Sequence, residues 1–230
     1  LTVNITPLNV SAKFAQMMKD TGAGFVFTSA TLSVDNDLAH FNASLGLKPA
    51  QSMIVESPFD YQQQALLCLP RYLPESHANN MPHAIIKLTL ELIKSAKGRC
   101  FVLFTSYRMM HLVAEGLTTQ MDYPVYMQGQ MSKRIILEKF TRHGNAVLLG
   151  TASFWEGVDV RGSTLSCVII DKLPFAAPDD PLLQAKMQDC QLQGKDPFAH
   201  IQLPQAVIAL KQGVGRLIRD SKDKGVLVIC

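Results

Sequence analysis

From residue 100 onward, short apolar runs alternate with helix-periodic stretches: strand-like 100–104, helical 107–120, strand-like 124–127, helical 133–142, then strand-like 146–149 and 165–170. Helical patterns near 181–192 and 205–220 lead to a last strand at 225–229. Strands joined through a helix have no tight hairpin between them, so each returns parallel to the one before and the helix covers a sheet face. The expected fold class is α/β, a parallel sheet flanked by helices. Ahead of this stretch, 1–6 alternates like a strand, 10–20 reads as a helix ended by Gly22 and Gly24, and Phe25-Val26-Phe27 reads as a short buried strand. A helix over 35–45 stops at Gly46, and 48–58 reads as an extended connector, which divides the chain into 1–47 and 48–230. A strand at 64–69 and a proline-rich polar segment precede a helix that runs to Lys97 and ends at Gly98.

Composition limits the function classes. Apolar residues make up 47% of the chain, enough for a core, whereas charged residues make up 18%. That is below the roughly 25% of soluble domains, so part of the surface is expected to be covered, some of it by segments outside this chain. A formal charge of +3 permits contact with nucleic acid without arguing for it. Cysteines 68, 100, 167, 190 and 230 form no Cys-x-x-Cys, and no His-x-x-x-His occurs. This pattern disfavours a disulfide scaffold, a zinc ribbon and a local iron–sulfur motif, and fits a reduced, cytoplasmic setting. No apolar run approaches the roughly 20 residues of a membrane span. Leu1 in place of an initiator methionine marks the chain as an expected piece of a longer protein.

In a parallel sheet, ligands gather beyond the carboxyl ends of the strands. Those positions hold Thr28-Ser29-Ala30-Thr31, Thr105-Ser106-Tyr107, Gln128-Gly129 and Gly150-Thr151-Ala152-Ser153. Any one such loop is ordinarily a helix cap. Together they read as a row of hydroxyls, amides and backbone N–H groups able to follow a sugar–phosphate backbone, with Tyr107, Phe154 and Trp155 as stacking faces for bases.

Nearer the carboxyl end, Gln212-Gly213-Val214-Gly215-Arg216-Leu217-Ile218-Arg219 is expected to be helical. At 100° per residue, Val207, Leu210, Val214, Leu217 and Ile218 share one face, and Gln212, Arg216 and Arg219 the other. Each glycine inside a helix costs about 1 kcal/mol relative to alanine, so the pair points to close approach of another backbone or a ligand. Paired guanidinium groups suit phosphate oxygens, and the arginines are expected to face the hydroxyl-lined rim. Glu156 and Asp159 lie three residues apart in a glycine-punctuated loop, placed to orient those arginines, or a ribose and metal-bound water.

These segments, in this order, resemble the later motifs of superfamily 2 helicases, and specifically the DinG/XPD branch. The resemblance rests on Thr-Ser-Ala-Thr-Leu-Ser at 28–33, Ser-Phe-Trp-Glu-Gly-Val-Asp at 153–159 and Gln212 to Arg219, and also takes in Ser57-Pro58-Phe59-Asp60 and Asp171-Lys172-Leu173-Pro174-Phe175. It implies a RecA-like second motor domain at 48–230 and a remnant of helicase domain 1 at 1–47. By that likeness Thr28, Ser29, Ala30 and Thr31 couple nucleotide state to DNA grip. Thr105, Ser106, Tyr107, Gln128, Thr151 and Trp155 lie on the single-stranded DNA path. Glu156, Gly157, Asp159 and Gly215 meet the nucleotide, and Gln212, Arg216 and Arg219 are catalytic, the arginines as fingers. The implied activity is 5′→3′ ATP-dependent DNA unwinding in repair or replication, and the implied partners include the polymerase III chi subunit.

The sequence contains neither Gly-x-x-x-x-Gly-Lys-Ser/Thr nor an Asp-Glu-Ala-His box. ATP and Mg2+ are therefore expected to be held mainly by an upstream domain, which in the branch also carries the iron–sulfur cluster, and this chain alone is expected not to hydrolyse ATP. A non-motor binding module with the same fold is the competing reading, and intact Gln212, Arg216 and Arg219 weigh against it. A dinucleotide-binding dehydrogenase is disfavoured because Gly22-x-Gly24 precedes its strand and Gly213-x-Gly215 falls in a helical pattern.

Overall fold

A computed structural model describes residues 5–47, 50–155 and 164–230. The chain divides into two compact units, Leu1–Glu56 with Phe175–Ala209, and Ser57–Pro174 with Leu210–Cys230. The first boundary between them falls between Glu56 and Ser57.

The second unit holds one sheet. In chain order it comprises α3 (Tyr61–Gln64), β1 (Ala65–Cys68), α4 (Met81–Ala96), β2 (Cys100–Leu103), α5 (Tyr107–Thr118), β3 (Val125–Met127), α6 (Lys133–His143), β4 (Val147–Gly150), α7 (Ala152–Trp155), β5 (Cys167–Ile170) and β6 (Gly225–Ile229). The strands lie in the order β1-β6-β5-β2-β4-β3, and every pairing is parallel. Every residue of β2, β4 and β5 is buried, as expected of central strands covered on both faces. Alternation along each strand splits the core. Val102, Val147, Leu149, Cys167 and Ile169 pack with Ile85 of α4 and Val113 of α5. On the other face Phe101 meets Phe154 of α7 edge-on, with ring centroids 6.4 Å apart, an arrangement aromatic pairs favour because the positive edge of one ring meets the negative face of the other.

Local chemistry explains the element ends. Ser106 caps α5 by accepting from the Met109 N–H. Helix α4 stops in three successive residues with positive φ, Lys97, Gly98 and Arg99, at 54°, 77° and 43°. At Gly98 a Cβ would lie 2.1 Å from the Asn145 carbonyl oxygen, so only glycine lets the two backbones approach. All five cysteines are free thiols. Cys100 and Cys167 face each other across the β2–β5 ladder, and their mutual hydrogen bond, followed by burial, raises the Cys100 thiol's pKa.

The first unit contains α1 (Ser11–Thr21), α2 (Ala39–Leu45), α8 (Pro181–Leu192), a π-helical turn (Phe198–Gln202) and most of α9 (Leu203–Val214). Two expectations fail here. Phe25-Val26-Phe27 is not a strand, and Val26 is 88% exposed. A strand needs a ladder partner, and none of the described residues supplies one; Phe27 instead packs against Phe14 of α1 and Phe41 of α2. The helix expected over 35–45 starts at Ala39 because Asp35 and Asn36 take φ of 53° and 56°, closing a two-residue turn with hydrogen bonds between Val34 and Asp37. Positive φ at both central residues suits that tight reversal and excludes helix. Residues 5 and 6 are irregular, and the rest of the strand expected at 1–6 lies outside the described residues.

Candidate functional site

The carboxyl edge of the sheet carries an internally bonded polar network. Gln128, just beyond β3, accepts from Thr151 twice, from its backbone N–H at 2.7 Å and its hydroxyl at 3.0 Å. The same Gln128 amide donates to the Tyr107 hydroxyl at 2.6 Å. These bonds tie the ends of β3 and β4 to the start of α5. Thr151 is 4% exposed, so its hydroxyl and N–H serve the scaffold and are not open donors. Ser106 is likewise spent on its helix cap. Solvent is met instead by Tyr107, 57% exposed, by Gly129 with its φ of 95°, and by Arg108. Arg108 stands outside every motif read from the sequence, although a cation one residue into a helix beside a hydroxyl-rich edge was a legible signal.

A second group at this edge carries the family resemblance in the sequence without a site role there. Asp171, directly after β5, is 3% exposed and accepts from the Thr105 backbone N–H at 2.9 Å and from its hydroxyl at 3.5 Å. Burial pushes its carboxyl up to about 6, against the opposing pull of the Thr105 hydrogen bonds and Lys172. The Cys230 thiol is pushed up to about 12, first by burial and then by Asp171. Because the folded state holds the Asp171 proton more tightly than the unfolded chain, this group favours folding most below about pH 4, and that contribution is lost as pH rises through 6. The span is on the order of 3 kcal/mol. Asp171→Asn keeps an oxygen for the Thr105 N–H, so it is expected to remove this fall and to be more stable than the parent at pH 8. Urea unfolding of both proteins from pH 4 to pH 8 checks this, and parallel stability curves would refute it.

The arginine segment departs from expectation. Helix α9 ends at Val214, and residues 215–217 form a turn in which Arg216 N–H donates to Gly213 O and Leu217 N–H to Val214 O, at 3.2 and 3.1 Å. Arg216 and Arg219 therefore do not share a helical face with Gln212. The two glycines weaken the last turn, and Leu217 and Ile218, 3% and 5% exposed, pull the chain toward the core. The Asp223 carboxylate fixes the chain beyond them, accepting from the N–H groups of Arg219 and Asp220 at 2.9 Å each. Gln64, buried ahead of β1, donates its side-chain amide to the carbonyls of Asp220 and Asp223 at 2.8 and 3.0 Å. Gln64 and Asp223 carried no sequence signal; the role of Gln64 exists only through contacts 156 and 159 residues apart.

The arginine-bearing loop thus approaches the sheet where β1 and β6 begin. A Cβ on Gly225, the first residue of β6, would lie 2.5 Å from Leu217 Cδ1. Thr105, Gln128 and Thr151 lie at the opposite, carboxyl edge. The backbone of the arginine turn thus lies at the amino edge of the sheet, whereas the hydroxyl-lined rim lies at the carboxyl edge. Arg216 and Arg219 are both half-buried and both have interaction partners.

A family model described as the helicase C-terminal domain matches residues 89–230. The chain belongs to the helicase C-terminal domain family. It is 54% identical over 229 residues to the ATP-dependent DNA helicase YoaA of Escherichia coli (strain K12), covering 100% of this chain and 36% of that protein. It is 52% identical to YoaA of Haemophilus influenzae over 99% of this chain and 36% of the relative, and 35% identical to the ATP-dependent helicase DinG of Mycobacterium tuberculosis (strain H37Rv) over 99% of this chain and 35% of the relative. The chain thus spans about a third of the length of these relatives. Among solved structures, an XPD helicase matches with a TM-score of 0.69 at 21% identity, covering 93% of this chain and 40% of that one. Xpd4 of S. tokodaii matches with a TM-score of 0.62 at 18% identity, covering 94% and 42%. The DinG/XPD resemblance and the RecA-like α/β fold are both found.

The remaining site residues fall unevenly along the chain, and Thr28 to Thr31 precede the residues matched by the family model. Thr28, Ser29, Ala30 and Thr31 belong to the first unit and form a local turn, with the Thr31 N–H donating to Ser29 Oγ at 3.2 Å. Phe154, expected as a stacking face, is 1% exposed and belongs to the core, with Lys133 Nζ 5.3 Å from its ring centroid. Residues 152–155, expected in a loop, form the single turn α7. Glu156, Gly157 and Asp159 lie outside the described residues, as does the side chain of Trp155. Among the described residues no group of three or more His, Cys, Asp or Glu could hold a metal ion, and no helix is long and apolar enough to cross a membrane.

Proposed function

We propose that this chain is the second motor domain of an ATP-dependent 5′→3′ DNA helicase acting in repair or replication in the cytoplasm. The observation that carries the reading is 54% identity along the whole chain to a protein named as an ATP-dependent DNA helicase. The reading divides the labour between two edges of one sheet. The carboxyl edge, where Gln128 is bonded to Tyr107 and Arg108 lies exposed on the next residue, follows single-stranded DNA through an aromatic face, a cation and an amide, chemistry that tolerates any base sequence. The loop between α9 and β6 presents Arg216 and Arg219 as arginine fingers, with Gln212 and Gly215 beside them, toward a nucleotide held by an upstream helicase domain. Glu156, Gly157 and Asp159 complete the nucleotide wall, and Thr28, Ser29, Ala30 and Thr31 couple nucleotide state to DNA grip.

Nucleotide fit is partial in this chain. Guanidinium groups match phosphate oxygens, but the sequence has no Gly-x-x-x-x-Gly-Lys-Ser/Thr to cradle them. ATP would supply the phosphoryl group whose transfer to water follows closure, with Mg2+ and the iron–sulfur cluster held by the upstream domain. This chain's part is to place positive charge against the transferred group and to move its DNA-binding edge when the domains close. The chi subunit of polymerase III is a proposed partner.

The test is unwinding by the complete protein of duplexes bearing only a 5′ or only a 3′ single-stranded tail. At least about tenfold faster, ATP-dependent and Mg2+-dependent unwinding from the 5′ tail is expected. Preference for the 3′ tail would overturn the polarity. DNA binding without any ATP-dependent unwinding would make this a binding module.

A further inference from the structure

Within the second unit, a cavity of about 470 Å³ opens at the amino-terminal edge of the sheet, between α3, the end of α4 and the starts of β1, β5 and β6. Its charged lining side chains are Arg99 and Lys224, and no carboxylate is among the described lining residues. Gln62, Gln63, Ser95 and Ser166 add polar groups, while Leu66, Leu92 and Val226 give it apolar walls. Two further features belong to this wall. The Ser166 hydroxyl is buried with no hydrogen-bond partner among the described residues, a state that normally costs about 1–3 kcal/mol. Arg99 sits at φ 43°, strained for a residue with a side chain, and is held there by its Nε bond to Ala96 O at 2.8 Å and by its carbonyl, which accepts from the N–H groups of Ser166 and Cys167. Such strain is commonly kept where it aims a group at a ligand.

We propose that this cavity binds a phosphate monoester of about mononucleotide size. Two cations without an opposing acid match a dianionic phosphate, and the planar guanidinium offers it two parallel donors. The volume lies in the range of about 300–1,000 Å³ usual for small-molecule sites and exceeds what a bare phosphate fills, so the ligand's body rests on Leu66, Leu92 and Val226. Gln64 is also in the wall, and its amide holds the carbonyls of Asp220 and Asp223. Gln64 therefore links the cavity wall to the loop that carries Arg219, a route by which occupancy can reach that loop. Binding does not depend on the motor reading; this coupling does.

The test titrates the 230-residue chain with AMP by calorimetry, with adenosine as the uncharged control. Saturable binding is expected, at least about tenfold weaker in the Arg99→Gln/Lys224→Gln double variant and for adenosine, and about threefold weaker in Lys224→Gln, whose exposed side chain can be changed without disturbing the fold. Affinity should be unchanged in Arg216→Ala. No saturable binding up to about 10 mM AMP, or equal affinity in the parent and both cavity variants, overturns the proposal. Loss of binding in Arg216→Ala, with the cavity variants intact, places AMP at the arginine turn instead, which defeats the cavity site and leaves the motor reading standing.

Discussion

If Arg216 and Arg219 act as proposed, alanine in place of either in the complete protein is expected to leave ATP binding nearly intact and to lower DNA-stimulated ATP turnover at least about a hundredfold. Arginine fingers act on charge that develops in the transition state, so their removal falls on kcat more than on nucleotide affinity. Rate factors of about 10³–10⁵ are typical of the group. The structure sharpens the contrast between the two positions. Arg219 is the residue whose backbone N–H is pinned by Asp223, in a loop also held by Gln64. Asp223→Ala is therefore expected to lower turnover in the same direction as Arg219→Ala but less, because the guanidinium remains and only its placement loosens. Steady-state ATPase measurements with nucleotide-binding titrations on each variant decide the matter. Near-normal turnover in both arginine variants would defeat their assignment as fingers.

Phe101→Ala should cost about 3–5 kcal/mol of stability, read as a shift in urea midpoint. Phe101 is 1% exposed on a central strand and meets Phe154 edge-on, so truncation empties a space the sheet cannot close. The loss should not stay local. Phe154 belongs to α7, directly after Thr151, and a Cβ on Gly150 would already lie 2.6 Å from Phe154 Cβ, so the turn is held by tight packing on both sides. Loosening it is expected to weaken single-stranded DNA binding as well. Tyr72→Ala is the matched control: at 73% exposed its truncation should change stability by no more than about 0.5 kcal/mol. A Phe101→Ala midpoint indistinguishable from that control would show that Phe101 and Phe154 do not form a second core face.

Much of the second unit was legible in advance because its signals are local. The apolar runs that became β2, β4 and β5 are buried on both faces, so they read as continuous hydrophobic segments whatever their partners. The ends of α4 and α5 followed from Gly98 and Ser106. Errors came where a partner decides. Residues 25–27 have strand-like composition and no ladder partner among the described residues, and so pack as side chains against two helices. Asp35 and Asn36 look compatible with a helix until a reversal requires left-handed φ. Residues 215–219 carry helical periodicity, but two glycines lower the cost of leaving the helix and burial of Leu217 and Ile218 rewards it.

The candidate site divides in the same way. Residue type at the strand ends was fixed by the chain itself: Thr105, Tyr107, Gln128 and Thr151 follow β2, β3 and β4 because strand and turn propensities are properties of neighbouring residues. Which of their donors remain open was not. Thr151 spends its hydroxyl on Gln128, Asp171 claims the Thr105 N–H, and the arginine turn comes to rest at the opposite edge, held by Gln64. Sequence alone determined an all-parallel α/β sheet and the family to which it belongs. Only the tertiary structure decided which polar groups are spent and which edge each motif reaches, because a hydrogen bond between residues 156 apart depends on the whole sheet being assembled.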